Sequence, residues 1–234
     1  MNRKLKFLVL TLITLMMSLI YILFACTEKG YQASVAAKQF KPTIIIDPGH
    51  GGEDSGAVSK TNILEKNINL DISLMLKEFL KSNGFEVIMT RDTDTALNDK
   101  DADHKKHSDL KNRVEVFNSS QNNIVISIHQ NKFIEEKYSG TQIFYSANCE
   151  NSSILAENIR TTVISLLQPD NERECKKAGS EIFVLHNARV PAVMVECGFL
   201  SNIIEAEKLN SKAYQRKLAY CIYLGFLEYY YTNY

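Results

Sequence analysis

Short apolar runs, most of them rich in β-branched residues, recur along this chain, and stretches of helical periodicity separate most of them. Six runs have the length and composition of buried strands: residues 43–47, 85–90, 123–129, 141–146, 181–186 and 191–196. Strands that are separated by helices form a largely parallel sheet with helices on its faces. We therefore predict an α/β fold, a single domain in which helices flank a mostly parallel central sheet of about six strands.

Helical periodicity is clearest in residues 68–79, where the apolar residues fall on one face of a helix. Gly84 is expected to end this region in a left-handed conformation. The charged segment 92–109 has no periodicity, which predicts a long exposed loop with His104 and His107 as solvated residues. Further helices are predicted near residues 113–118, 153–167 and 214–229.

The N-terminus carries an uncharged segment, residues 7–25, which follows the basic residues Arg3, Lys4 and Lys6. Its length approaches the roughly 20 residues that span a bilayer, and the basic flank should stay in the cytoplasm. These features predict a membrane segment and place the remainder of the chain outside the cytoplasmic membrane. The predicted divisions are a signal or anchor segment at 1–26, a linker at 27–42 and a folded domain at 43–234.

Two processed forms stay open beside a retained anchor. The run "LFAC" resembles a lipoprotein signal that ends at Cys26, although Phe24 is bulky for that motif. The small residues of "SVAAK" offer a second cleavage point, farther from the apolar segment. In every case we predict an exported protein that is either membrane-anchored or secreted.

Charge and cysteine content exclude some classes of function. The 27 basic and 27 acidic residues balance, and no basic stripe is present, so the sequence predicts no nucleic-acid partner. The five cysteines are odd in number and lack C-x-x-C spacing, which argues against a disulfide framework or a cysteine zinc knuckle. A single Cys149–Cys175 bridge stays open in an exported protein. Cys197, inside an apolar run, is expected to fill core space.

Three residues with ligand or base chemistry stand where predicted strands end: His50, His129 and Glu196. Functional sites of such sheets gather beyond the carboxyl ends of the strands. Two imidazoles, one carboxylate and an open position are typical of hydrolytic zinc. Glu65 is a candidate for the carboxylate because it would open a helix, where the dipole favours an acid. The remaining carboxylate candidates are Glu53 and Asp54.

Other interpretations of these residues stay open. Taken alone, His50 is more typical of an ordinary loop residue, and His129 is more typical of a hydrogen-bonded core histidine, than either is of a metal ligand. The glycines of "GHGGEDSG" also resemble a phosphate-binding nest, but this stretch lacks the lysine of a P-loop and contains acids that would repel phosphate. Glu196 follows the apolar run "AVMV", and a carboxylate in that position requires a partner or a chemical task.

Together the motifs resemble zinc-dependent N-acetylmuramoyl-L-alanine amidases of the amidase-3 type. The resemblance covers roughly Thr43 to Tyr230. Its motifs occur in the expected order: "IIIDPGHGGEDSGA", "LEKNINLDIS", "TR" at 90–91, Arg113 and Asn118, "ISIHQN", "FVLHNARVPAVMVECGFLSN" and "EAEKL". These motifs are far more specific in combination than either histidine alone.

The resemblance implies one zinc ion per chain, held by His50, Glu65 and His129, with Glu196 as the catalytic residue. None of these is substituted, so an active peptidoglycan hydrolase is expected. It would cleave the amide between the lactyl group of N-acetylmuramic acid and L-alanine of the stem peptide. Asp47 is expected to orient His50 through its second ring nitrogen, and the glycines are expected to keep the backbone slim around the ion.

The lone N-terminal segment, the absence of wall-binding repeats and the "HQN" motif are most similar to the germination-specific, spore-cortex subgroup. That subgroup removes stem peptides from cortex muramic acid before muramic-δ-lactam forms. Some clostridial relatives work with a partner lipoprotein, and the resemblance leaves this open here. A zinc peptidase of stem peptides and a non-catalytic peptidoglycan-binding scaffold are the alternatives.

Overall fold

A computed structural model describes residues 2–39 and 41–234. The chain forms two compact units, Met1–Lys41 and Pro42–Tyr234. The first unit contains one helix, α1 (Arg3–Gln39). Counting only the residues so described, none of the helices combines the length and apolar character that crossing a bilayer requires. The N-terminal membrane segment and the domain boundaries drawn from the sequence therefore stay predictions.

The second unit alternates strands and helices around one sheet. Its elements are β1 (Thr43–Pro48), α2 (Glu65–Ser82), β2 (Glu86–Met89), α3 (Lys105–Phe117), β3 (Asn123–Asn131), β4 (Gln142–Tyr145), α4 (Asn151–Leu166), β5 (Lys176–Lys177), α5 (Phe183–Asn187), β6 (Ala192–Phe199), α6 (Ile203–Asn210) and α7 (Lys212–Asn233). The strand order is β2-β1-β3-β6-β4-β5. All neighbouring strands are parallel except β4 and β6. The predicted α/β domain with a mostly parallel sheet of six strands is confirmed.

Hydrophobic layers on both faces explain why the central strands are apolar throughout. Ile44 and Ile46 of β1 face a core that includes residues of α2, α4, α6 and α7. Ile45 points to the opposite face, where it packs in a second cluster with Phe117 of α3 and Leu185 of α5. All three isoleucines are fully buried. A strand covered on both faces is expected to be an unbroken apolar run.

The predicted strand at 181–186 is wrong, because this run forms the helix α5. Its adjacent residues Val184 and Leu185 are both buried, and periodicity alone cannot distinguish a short buried helix from a buried strand. The sixth strand is β5, a pair of exposed lysines hydrogen-bonded beside β4. A short, charged edge strand of this kind discourages pairing with other chains.

The predicted loop at 92–109 is too long, because α3 begins at Lys105. The first turns of α3 are polar and exposed, so they show no apolar periodicity. His107 therefore lies on a helix, where its ring meets Phe183 edge to face at a centroid distance of 5.4 Å. Helix α6 was not predicted, although Asn202 caps it by accepting a hydrogen bond from Glu205 N at 3.0 Å, an N-cap signal that the sequence contains.

All five cysteines are free. Cys197 is fully buried in the larger core cluster, so the prediction that it fills core space is confirmed.

Gly225 lies where α7 packs against α4 and gives a test of this packing. A Cβ at this position would lie 2.5 Å from Ile159 Cα and 2.8 Å from Ile159 N. Alanine in place of glycine stabilises an open helix by about 1 kcal/mol, but overpacking here should reverse the sign. We expect Gly225→Ala to lower the free energy of unfolding by about 1–3 kcal/mol in urea titrations. Lys217→Ala, exposed on the same helix, is the control; an equally stable Gly225→Ala protein would contradict the packing.

Candidate metal centre

The segment that follows β1 turns sharply at His50, which has a φ of 61°. This left-handed conformation is uncommon for residues other than glycine, although histidine is among those enriched in it, and sparsely populated backbone conformations concentrate at functional sites. The turn continues into a short bridge in which Gly51 N donates to Asp54 O at 2.9 Å and Asp54 N donates to Gly51 O at 3.1 Å. The His50 side chain is therefore presented by a backbone that the surroundings must hold in place.

A buried ion pair lies directly below this turn. Arg113 donates to Asp47 Oδ1 at 2.6 Å and also to the carbonyl oxygen of His50 at 2.8 Å. Thr90 and Ser127 each donate a hydroxyl hydrogen bond to Asp47 at 2.7 Å. Burial acts to raise the pKa of Asp47, but the charge of Arg113 and the two hydroxyl hydrogen bonds outweigh it and hold the pKa below its usual range.

This arrangement corrects one prediction. Asp47 does not orient the His50 ring, because its carboxylate is taken up by Arg113, Thr90 and Ser127. Asp54 has that position instead, with Oδ2 2.9 Å from His50 Nδ1.

A second buried arginine joins the turn to the start of α2. Arg91 donates to Pro48 O at 3.0 Å, to Gly49 O at 2.9 Å and to Lys66 O at 2.9 Å. Burial, followed by the charge of Arg113, lowers the pKa of Arg91 to about 10, so the guanidinium stays charged at neutral pH. Its hydrogen bonds fix the turn carrying His50 relative to the first turn of α2, where Glu65 lies.

Three side chains from these segments converge. His50 Nε2 and His129 Nδ1 each lie 3.2 Å from Glu65 Oε1. The two imidazole rings have centroids 5.0 Å apart, and one ligand atom from each residue lies within 4.8 Å of the others. His50 follows β1, His129 lies on β3, and Glu65 is the first residue of α2. The structure thus brings together three of the predicted site residues as a group that could hold a metal ion.

Glu65, rather than Glu53 or Asp54, supplies the carboxylate of this cluster. It is 3% exposed, and its two oxygens accept hydrogen bonds from the backbone N–H groups of Ala57 and Gln130 at 2.7 and 2.9 Å. Burial acts to raise the pKa of Glu65, but hydrogen bonds with the two histidines outweigh it and lower the pKa. Glu53 is exposed and pairs with a lysine of α3.

Glycines do leave room for the cluster, as the sequence predicted. A Cβ on Gly49 would lie 2.1 Å from Cε1 of the His129 ring. A Cβ on Gly56, whose φ is 65°, would lie 2.6 Å from Glu65 Oε2 and 2.7 Å from His50 Cδ2. Side chains at these two positions would displace the candidate ligands, so the chain can carry none there.

Glu196 lies beside the cluster on β6. Its Cα is in register with that of His129 on the neighbouring parallel strand. Its Oε2 atom is buried and has no hydrogen-bond partner among the described residues. Burial raises the pKa of Glu196 to about 7, and the nearby histidines only partly oppose the shift. A carboxyl group with a pKa close to ambient pH is suited to accept and return a proton.

A cavity of about 280 Å³ adjoins the two histidines. Its apolar lining comes from α3, from the region of α5 and from β6: Leu110, Ile182, Phe183, Val184 and Met194. Helix α3, whose start was predicted wrongly, and helix α5, which was predicted as a strand, therefore contribute walls of the site. The ligand motifs of the sequence gave no indication of these apolar walls.

Residues 44–228 match the family described as N-acetylmuramoyl-L-alanine amidase, Amidase_3. The chain belongs to this family. The amidase is 37% identical over 190 residues to the germination-specific N-acetylmuramoyl-L-alanine amidase of Bacillus subtilis (strain 168), covering 80% of this chain and 79% of that protein.

Solved structures of other amidases share this fold. The CwlD amidase of Clostridioides difficile, in complex with the GerS lipoprotein, superposes with a TM-score of 0.78 at 38% identity, covering 82% of this chain and all (100%) of that one. An N-acetylmuramoyl-L-alanine amidase from Clostridium difficile 630 gives a TM-score of 0.73 at 31% identity, with 83% and 99% covered.

The buried ion pair between Asp47 and Arg113 leads to a prediction about how the stability of the protein depends on pH. Asp47→Asn removes one of the two carboxylates that pair with buried Arg113 and leaves only Asp109, 2.7 Å from its Nε, which should cost about 1–3 kcal/mol at neutral pH. Since the pKa of Asp47 is lowered by folding, its contribution is present above the unfolded pKa of about 3.9 and is lost as pH falls through the folded value. The stability difference between wild type and Asp47→Asn should therefore narrow below about pH 4.

Urea unfolding of both proteins between pH 3 and pH 7 measures this difference. Glu115→Gln, which removes an exposed carboxylate from α3, is the control and should change stability by less than about 0.5 kcal/mol. A difference between wild type and Asp47→Asn that stays constant with pH would refute the linkage.

Proposed function

We propose that this chain is a zinc-dependent N-acetylmuramoyl-L-alanine amidase that cleaves the amide between the muramic acid lactyl group and L-alanine of peptidoglycan. The observation that carries this proposal is the convergence of His50, Glu65 and His129 on one point with Glu196 beside them. Membership of the amidase family supports the choice of bond.

The donor set fits zinc. Two imidazole nitrogens and one carboxylate oxygen leave room for a fourth ligand, which is the composition of catalytic rather than structural zinc sites. Asp54 beside the second nitrogen of His50 is the outer partner that metal-binding histidines usually have. When bound, zinc would polarise the scissile carbonyl and lower the pKa of water to about 7.

The chain's own groups account for the proton movements. Glu196 accepts the proton of the attacking water at a carboxylate oxygen and then delivers it to the nitrogen of the leaving L-alanine. Its raised pKa, about 7, makes both transfers accessible at neutral pH. The cavity walled by α3 and α5 holds substrate next to the two histidines and limits access of bulk water.

The similarity to a germination-specific amidase supports a role in spore cortex maturation and germination, in which stem-peptide removal precedes muramic-δ-lactam formation. The relative that was solved in complex with a lipoprotein supports a partner lipoprotein for this chain as well. We place the catalytic domain, residues 43–234, outside the cell and facing the cell wall or cortex. Segment 1–26 would act as signal or membrane anchor, and 27–42 as linker.

Zinc content tests the ligand assignment. His50→Ala and His129→Ala should each lower zinc well below the roughly one ion per chain of wild type, while far-ultraviolet circular dichroism changes little, because an open catalytic site contributes little to folding. Elemental analysis measures the metal. His107→Ala, a histidine of α3 outside the cluster, should keep it. Full zinc in both His50→Ala and His129→Ala would exclude these ligands.

Glu196→Gln separates metal binding from catalysis. This substitution keeps the shape of the side chain but removes the base, so zinc should stay bound while turnover falls by about 10²–10⁴. Glu53→Gln, an exposed carboxylate off the cluster, should keep the wild-type rate. A Glu196→Gln protein with zinc and more than about a tenth of wild-type rate would remove Glu196 from the mechanism.

Mass spectrometry of digested peptidoglycan in the same assay identifies the bond. The proposal requires muramic acid with a free lactyl carboxylate and peptides that begin with L-alanine. An intact lactyl–alanine bond in cleaved material would instead indicate a zinc peptidase. Binding to peptidoglycan without any released peptide would indicate a scaffold.

Accessibility to protease tests the proposed location. Because Arg3, Lys4 and Lys6 precede the apolar segment, the domain beyond it should lie outside the membrane. Protease added to intact protoplasts should then degrade the domain, as detected by immunoblotting, while a cytoplasmic marker survives. Protection of the domain until lysis would rule out this topology.

A further inference from the structure

Asn69 is a fully buried polar residue on the apolar face of α2, between Ile68 and Ile72. It lies one helical turn after Glu65 and donates to Glu65 Oε1 from Nδ2 at 3.2 Å. The same Nδ2 donates to Gly49 O at 3.1 Å. Burying an amide is unfavourable unless its hydrogen bonds are made, so these contacts are what makes Asn69 acceptable in the core.

The third contact of Asn69 reaches the strand that carries the second histidine. Gln130 Nε2 donates to Asn69 Oδ1 at 3.0 Å. Gln130 follows His129 on β3, and successive strand residues point to opposite faces of a sheet. The side chain of Gln130 therefore contacts α2 on one face of the sheet, and the side chain of His129 points to the other face, toward the cluster.

We propose that Asn69 is a positioning residue that fixes the spacing of the three candidate metal ligands. Its amide contacts Glu65 itself, the residue before His50 and the residue after His129. An amide can do this because it has two N–H donors and a carbonyl acceptor in one plane. The inference rests on the proposed metal centre and adds to it the group that assembles the ligands.

The contact with Glu65 has a particular geometric effect. Oε1 is the atom that faces both histidines, and a carboxylate rotates easily about its last bond. The backbone N–H groups of Ala57 and Gln130 hold one oxygen each. Asn69 adds a second donor to Oε1 from the helix side, which restricts rotation of the carboxylate while this oxygen faces the histidines.

Two substitutions of nearly unchanged size remove this function. Asn69→Leu deletes all three hydrogen bonds, and Asn69→Asp replaces the donor by a carboxylate that faces Glu65 and Gly49 O. Loss of an outer contact of this kind typically weakens metal binding by about 10–100-fold. Ser73→Ala is the matched control, because Ser73 is fully buried one turn further along α2 and its hydroxyl has no hydrogen-bond partner among the described residues.

The experiment measures zinc affinity by chelator competition and the visible absorption spectrum of the Co²⁺-loaded protein, with urea unfolding of the metal-free proteins alongside. We expect weaker zinc binding and an altered Co²⁺ spectrum in both Asn69 variants, with neither change in Ser73→Ala. A folded Asn69 variant with wild-type affinity and spectrum would overturn the inference. Wild-type protein that binds no metal would instead reject the proposed function.

If the Asn69 variants do not fold, Gln130→Met tests the positioning role of Asn69 instead. This variant keeps the backbone N–H bond to Glu65 but removes the donor that orients Asn69. We expect a smaller fall in zinc affinity, in the same direction, and a shifted Co²⁺ spectrum. Unchanged affinity and spectrum in folded Gln130→Met would contradict the positioning role.

Discussion

The parallel pairing of β1, β3 and β6 is the constraint on which the site depends. In this register Asp47 lies beside Ser127, and His129 lies beside Glu196. Parallel strands end at the same edge of the sheet, so groups that are far apart in sequence meet there without any local motif linking them. A shift by one residue would exchange the two faces of each strand and would separate Ser127 from Asp47, to which it donates a hydrogen bond at 2.7 Å.

Beyond that edge of the sheet, buried polar groups hold the site in place through hydrogen bonds and ion pairs with one another. Arg113 neutralises Asp47, whereas Arg91 donates to backbone carbonyl oxygens of the turn, of α2 and of Thr93. In a low-dielectric interior such groups are costly when unpaired and rigid when paired. Glu196 departs from this arrangement, since one of its oxygens is buried without a partner among the described residues, and this contributes to a pKa suited to proton transfer.

The sequence predicted those parts of the fold and site that depend on local pattern. The strands around His50, His129 and Glu196 and the helix that Glu65 opens follow from periodicity and end signals, and the family motifs indicated the ligand set. The partner of Asp47 could not be found in this way, because Arg113 lies 66 residues away and only tertiary packing brings it there. Helix α5 was predicted as a strand because a run of only a few apolar residues fits either a helix or a strand.

The left-handed backbone of His50 links stability to function at a single residue. Glycine adopts this conformation without steric cost, and asparagine accepts it more readily than most residues. Either would relax the turn, but neither brings an imidazole to the cluster. Selection for folding alone therefore favours the loss of this histidine, and only selection for metal-dependent activity opposes it. Homologues released from catalysis are therefore expected to accept glycine or asparagine at this position.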